Sequence, residues 1–289
     1  LEPIELSDLK IIMAIIQEGS ITRAAKKLDY VQSNLTMRVR KMETELGVQL
    51  FHRTPKGVLP TEKGLVFSQY AADILFKNEE AVTAIQESEH PSGPLAIGVV
   101  ETVASTPPFI RALSDFQTKY PEVALSLVTG TSPLNYEKVL NRELDGAFFS
   151  GEFDLAPLKV SYEIRDEVIL LTNADESNSP PDVTNATWIV FPKGCPFRSA
   201  SVDWLQGMGI TSINMIEVSA LDTMLNCVRA GIGYALLSES VITEADERLA
   251  VHPVPEQYRF MTTRLVTRKD QFSSKSFAAF ANCIKAAGI

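Results

Sequence analysis

The chain is poor in the residues that build metal centres, disulfide frameworks and nucleophilic active sites. It has three cysteines and three histidines in 289 residues. Cys195, Cys227 and Cys283 lie far apart and match neither a zinc-ligand spacing nor a disulfide framework, so a reducing cytoplasm is the simple expectation. His52, His90 and His252 fall in separate segments, which leaves no nucleophilic triad and no clustered metal site. Gly231-Ile232-Gly233 follows a helical pattern and leads into a strand, the wrong order for a dinucleotide-binding loop. No enzyme activity, cofactor or metal is therefore expected. No run of 18 uncharged apolar residues occurs, and the N-terminal segment mixes acidic and apolar residues, so neither a membrane span nor a cleavable signal is expected.

What is present is an uneven distribution of charge. The net charge is −9, from 27 Lys and Arg against 36 Asp and Glu. Ser20 to Lys63 nonetheless holds nine basic residues against four acidic ones, whereas the chain from Gly93 onward holds sixteen against twenty-three. A local basic patch on an acidic bulk suits a protein that touches nucleic acid at one place and does not coat it. With 45% hydrophobic residues, the length supports two or three domains with cores of their own.

The basic stretch reads as two helices and a turn. Leu6, Leu9, Ile12, Met13 and Ile16 recur at helical spacing and give a first helix that packs beneath. Ser20 can cap the next, in which Ala24, Ala25 and Leu28 form a small apolar face that allows close approach. Asp29 and Tyr30 interrupt the pattern. Leu35, Val39, Met42 and Leu46 then mark a helix from Gln32 to Glu45, ended by Gly47 as a left-handed cap. Two helices joined by so short a turn match a DNA-binding helix-turn-helix. Gln32, Ser33, Thr36, Met37 and Arg40 fall on or beside its outward side. Glutamine pairs with adenine, arginine with guanine, and serine or threonine with either base or a phosphate. An apolar run from Val48 to Phe51, a basic turn over 52–57 and the pair Val58-Leu59 predict a wing that sets Arg53 and Lys56 against the phosphate backbone.

These features resemble the N-terminus of LysR-type transcriptional regulators. The resemblance rests on the Ala24-Ala25 pair with Leu28, the Gln32-Ser33, Leu35, Thr36 helix start, the helix end Glu45-Leu46-Gly47-Val48-Gln49-Leu50-Phe51, and Arg53-Thr54 followed by Thr61-Glu62-Lys63-Gly64. Ser20 and Arg23 join the DNA-binding set on that basis. Two positions depart from the family pattern. Val31 replaces the usual Ser or Thr, which puts one cap or phosphate contact in doubt. Met37 replaces a polar or basic residue and can instead touch a thymine methyl.

Thr61 to Glu89 reads as a long helix. Phe67, Ala71, Ile74, Asn78, Ala81 and Ile85 recur along it, and Val66, Tyr70, Leu75 and Val82 broaden the stripe. Such a face needs a partner, either a second copy or the chain's own later domain, and the family resemblance favours dimerisation. His90-Pro91-Ser92-Gly93-Pro94 is a hinge. Beyond it, strands and helices alternate, which predicts a parallel sheet with helices on its faces. The fold expected is α/β overall: an N-terminal all-α winged helix-turn-helix (1–60), a long linker helix (61–89), the hinge (90–94), and a two-lobed α/β effector-binding domain (95–289) that resembles periplasmic binding proteins. Lobe I is expected over 95–163 and 266–289 and lobe II over 164–265, with the return crossing at Leu265 to Thr267.

In open α/β sheets ligands bind beyond the C-terminal ends of the strands. There the sequence offers Thr102, Ser105, Thr129, Thr131, Ser132, Cys195, Phe197, Arg198, Ser219 and Asp222. The resemblance implies that Thr102, Thr131 and Cys195 to Arg198 line an interlobe cleft for a small anionic effector. Arg198 either clamps a carboxylate or pairs with an acid such as Asp203. Cys195 is a lining residue or a redox sensor. The overall expectation is a bacterial, sequence-specific DNA-binding regulator, modulated by that effector and assembled as a dimer or tetramer, with RNA polymerase a possible partner. The alternatives are a solute-binding protein of the same two-lobed fold and an architectural DNA-binding protein that needs no effector.

Overall fold

A computed structural model describes residues 4–55, 57–86, 88–175, 181–242 and 246–289. It divides into two compact units, 1–86 and 87–289.

The first unit holds helices α1 (Leu6–Glu18), α2 (Ile21–Lys27) and α3 (Gln32–Leu46), strands β1 (Phe51–Thr54) and β2 (Gly57–Pro60), and helix α4 (Glu62–Gln86). Ile12, Ile15, Ala24, Leu35, Val39 and Leu50 are buried in one core. Gly19 and Gly47 close α1 and α3 in the left-handed conformation, at φ 58° and 67°. Strands β1 and β2 pair antiparallel, with Phe51 opposite Pro60 and Thr54 opposite Gly57. The hairpin is thus tighter than expected, because His52 and Arg53 belong to the strand and not to the turn. Gly57 makes this possible: its backbone lies so close to the Gly19 carbonyl that a Cβ would stand 2.4 Å from that oxygen. The neighbouring Val58 amide donates to the same carbonyl at 3.0 Å.

Helix α4 starts on a cap. The Thr61 hydroxyl accepts from the Gly64 amide at 2.9 Å and donates to the Gln49 carbonyl at 2.8 Å. Gly64 and Ala71 are the buried residues of its 25, whereas Val66, Tyr70, Ile74, Val82 and Ile85 are exposed, Tyr70 by 67% and Ile85 by 86%.

The second unit runs β3 (Gly93–Val99), α5 (Glu101–Ala104), α6 (Pro107–Lys119), β4 (Val123–Thr129), α7 (Ser132–Leu140), β5 (Gly146–Ser150), β6 (Leu158–Asn173), β7 (Trp188–Val190), α8 (Pro196–Gly207), β8 (Met215–Glu217), α9 (Leu221–Arg229), β9 (Ala235–Ser238), β10 (Leu249–Pro253), β11 (Phe260–Arg268) and α10 (Lys275–Ala286). One sheet follows the order β10-β6-β11-β5-β3-β4, with β9 also on β6, and β7 pairs β8 separately. Strands β3, β4 and β5 are parallel. The sixteen-residue β6 serves both lobes: its first part pairs with β11 and its last part with β9 and β10. The first lobe packs around Ile97, Phe109, Phe116, Phe148 and Phe280. The second has cores on both faces of its sheet, around Leu171 and Leu237 on one side and Trp188 and Leu236 on the other.

The alternation beyond the hinge predicts helices from Tyr136 and from Ser199; α7 and α8 begin earlier, at Ser132 and Pro196, because proline is well placed in a first helical turn. Strand β6 extends back to Leu158, where alternating polar residues look like a crossover. His252 lies in a strand, β10, and not in a loop. Strand β11 pairs with β6 from Phe260, opposite Glu167, and with β5 from Thr263, opposite Ser150. The sequence pattern predicts a short helix over 239–244; the structure has a 3₁₀ turn at Glu239–Val241 ended by an extended Ile242, while residues 243–245 lie outside the described ones, as does Pro180. No helix among the described residues is long and apolar enough to cross a membrane.

Candidate nucleic-acid interface and ligand cleft

The front of α3 presents two opposed faces. Leu35, Val39 and Met42 are buried, whereas Gln32, Ser33, Met37 and Arg40 are exposed and Thr36 is half-buried. Ser33, Thr36, Met37 and Arg40 follow one another at three- and four-residue spacing, so they share one side of the helix. The Thr36 hydroxyl donates to the Gln32 carbonyl at 3.0 Å. Ser20 caps α2, accepting from the Arg23 amide at 3.4 Å. The Arg23 side chain reaches back to the Glu18 carbonyl at 3.1 Å while staying mostly exposed. Arg53 is exposed on β1, and Lys56 lies outside the described residues. Val31 precedes α3 without a capping side chain and is 71% exposed; Met37 is 64% exposed.

Two residues that hold this face in place escape sequence reasoning. Arg38 turns inward and donates to Asp8 at 2.8 Å, Glu5 at 2.9 Å and Ser7 at 2.8 Å, clamping α3 to the start of α1. The Ser7 hydroxyl and then Arg38 hold the Glu5 carboxyl below its ordinary pKa. Glu43 accepts from the amides of Leu50 and Phe51 at 2.8 and 3.2 Å, tying the end of α3 to the wing. The only signal in the sequence is that both sit beside the apolar stripe and not opposite it.

In the second unit a cavity of about 200 Å³ opens where α5, α7 and α8 begin. Seven of the ten expected residues line it: Thr102, Thr129, Thr131, Ser132, Cys195, Phe197 and Ser219. Val100, Glu101, Gly130, Ser150, Phe191, Pro192 and Pro196 complete the wall. Ser105, Arg198 and Asp222 are not in it. Ser105 ends α5 and is exposed, and Asp222 is exposed on α9. The Arg198 guanidinium donates to the Phe191 carbonyl at 3.1 Å and pairs with an acid, as one of the two expectations had it, but the acid is Glu217 and not Asp203.

The wall is held by its own hydrogen bonds. The Ser132 hydroxyl accepts from the Ser150 amide at 3.0 Å, and the Ser150 hydroxyl meets that of Thr263 at 2.6 Å. These partners come from a helix and two strands, which is why Ser150 is not recognisable from a local motif. Burial pushes the Cys195 thiol above its ordinary pKa, against a smaller pull from the Arg198 and Phe197 amides and the Arg198 charge. That environment disfavours the reactive thiolate. Among the described residues no group of His, Cys, Asp and Glu is arranged to hold a metal ion.

A winged helix with an exposed polar reading face, carried on one chain with a two-lobed fold that encloses a cavity, defines a one-component regulator. The lysR-family model of bacterial regulatory helix-turn-helix proteins matches residues 6–65, and the LysR substrate binding domain model matches residues 88–288. The chain belongs to the LysR family and is a DNA-binding transcriptional regulator. It is 36% identical to the transcriptional regulator GltR of Bacillus subtilis, over 94% of this chain and 93% of that one. It is 34% identical to the regulator SoxR of an Arthrobacter species, over 97% and 96%. Among solved structures it resembles a full-length OxyR variant from Pseudomonas aeruginosa, with a TM-score of 0.73 at 21% identity over 99% of this chain and 96% of that one. Full-length CbnR in complex with its target DNA gives a TM-score of 0.63 at 20% identity over 98% and 100%.

Proposed function

We propose that this regulator reads its operator with Gln32, Ser33, Thr36, Met37 and Arg40, and that Arg23, Arg53 and Lys56 hold the phosphate backbone. The support is chemical: the side chains on the outward side of α3 offer amide, hydroxyl, guanidinium and thioether groups to base edges. Ser20 serves as the cap that sets α2 beneath them. The exposed apolar side of α4 joins two copies, so the operator is expected to be roughly palindromic. Effector-domain contacts extend this to a tetramer, and bending of the DNA governs access by RNA polymerase.

A small metabolite occupies the cavity between the lobes. The observation that carries this reading is that α7 and α8, from different lobes, both start at that cavity, so one ligand can bind hydroxyls and backbone amides of each. With Arg198 engaged by Glu217, an anionic group is left to Thr102, Thr131, Ser132 and the helix ends. Binding favours the lobe arrangement for which the ligand has the higher affinity, and it shifts DNA binding only by that difference.

Footprinting on genomic fragments, with and without a metabolite pool, tests both halves. A protected site whose extent or affinity changes with the pool supports the reading. Absence of any protected site at low salt overturns it. A footprint indifferent to every metabolite leaves an architectural DNA-binding role in its place.

A further inference from the structure

Among the residues that line the cavity, Glu101 is the one acidic residue, and none is a lysine or arginine. Two cations adjoin the other side of the wall in sequence: Arg198 is held by Glu217 and the Phe191 carbonyl, and Lys193 is exposed and does not line the cavity. Glu101 is the first residue of α5 and is half-buried. Its carboxylate makes no hydrogen bond or ion pair with another described residue, while its carbonyl accepts from the Ser105 amide at 3.2 Å. The lining therefore holds a negative side chain and no cation to meet a ligand that is only an anion. A wholly anionic ligand would be brought in beside Glu101 against like charge.

We infer that the ligand of this cleft carries an ammonium group that pairs with Glu101, and is an amino acid or a similar zwitterion. Its carboxylate lies among the hydroxyls at the start of α7, and its ammonium faces the start of α5. The inference rests on the ligand-cleft reading above and replaces a net anion with a molecule of no net charge.

The test uses the full-length protein at neutral pH and compounds matched except for the amino group: the common amino acids against their deaminated acids, such as glutamate against glutarate and alanine against propionate. Binding is read by titration calorimetry and by the shift in melting temperature. At least one amino compound is expected to bind about 10- to 100-fold more tightly than its deaminated partner, the range for a hydrogen bond between charged groups. Glu101→Gln is expected to abolish that preference and Glu101→Asp to retain part of it. The wild-type comparison stands even if a variant fails to fold. Deaminated acids that bind as well as their partners, a Glu101→Gln protein that keeps the preference, or no response to any amino compound each overturn the inference. Footprinting of the same preparation keeps the two levels apart: an intact footprint with any of those results defeats the zwitterion alone, whereas a missing footprint defeats the regulator reading.

Discussion

Gly64 shows how one residue carries a junction. Its position near the start of a helix looks merely tolerated in the sequence, yet a Cβ there would stand 2.0 Å from the Leu50 carbonyl. That atom is backbone, so it cannot swing away as a side-chain end would. Gly64→Ala is expected to destabilise the first unit by about 1–3 kcal/mol, the usual range for overpacking, measurable as a lower midpoint in urea. A midpoint equal to wild type would mean that α4 shifts freely on the wing. Asp270 offers a pH-dependent case in the second unit. Its carboxylate accepts from Arg268 at 2.8 Å through each oxygen and from Arg142 at 3.0 Å. The Arg268 hydrogen bonds, opposed by burial and reinforced by the charges of Arg268 and Arg142, lower its pKa to about 2 from an ordinary 3.8. A depressed carboxyl adds stability above its unfolded pKa and loses it as pH falls through the folded one. The Asp270→Asn variant should therefore be less stable at pH 5 and should converge on wild type as pH falls from 4 towards 2. Because the Asp270 side chain is 49% exposed, the gap at pH 5 is expected to be no more than about 1 kcal/mol. Urea melts across that range measure it, and a gap that stays constant would rule out the ion pair as its source.

At the scale of elements, period and capping made most of the fold legible. The stripes Leu35-Val39-Met42 and Phe67-Ala71-Ile74 marked α3 and α4, and Gly47 marked where α3 stops. Two strands were cut short or missed: the front of β6 sets Lys159, Ser161, Glu163 and Arg165 between Leu158, Val160, Tyr162 and Ile164, so half of its residues are polar, and β10 is five residues long. At α7 and α8 a proline forms part of the first helical turn, which no apolar period marks. Of the cleft, the hydroxyl residues at strand ends were legible, since local position implies them. Ser150 and the pairing of Arg198 with Glu217 were not, because strand order and tertiary distance decide both. The division of labour on α3 and the wing can be tested directly. Gln32→Ala and Arg40→Ala are expected to flatten the preference for operator over random DNA by roughly 1–3 kcal/mol for each lost bidentate contact. Arg53→Ala should weaken both kinds of DNA by a similar factor. Competition binding decides, and the reverse pattern would exchange the base-reading and phosphate-binding roles. On α4, Tyr70→Asp with Ile74→Asp places charge on the exposed apolar side. These side chains do not support the fold of one copy, so the variant should stay folded but lose mass by light scattering. An unchanged mass would place the joint between copies elsewhere.

For the whole molecule the decisive quantity is charge, and its sign appears wrong for a protein that binds a polyanion. The net charge of −9 arises mostly beyond the reading head, where sixteen basic residues face twenty-three acidic ones. Repulsion from that bulk weakens binding to every DNA sequence alike and is screened by salt, whereas each phosphate neutralised by the head releases counterions. The two effects have opposite salt dependence, and at close contact the counterion term dominates. Affinity should therefore fall as salt rises, and the slope of log K against log salt should scale at about 0.9 for each phosphate contacted. Arg53→Ala removes one such contact per head and should make the slope shallower by about one, or by about two for a pair of heads acting together. Charge-reversing an exposed acidic residue of the second unit should raise affinity slightly at low salt and leave the slope almost unchanged. Fluorescence anisotropy over a salt series separates the two. An Arg53→Ala protein with the wild-type slope would show that β1 does not touch the backbone, and the phosphate contacts would then have to come from the α2 side of the head.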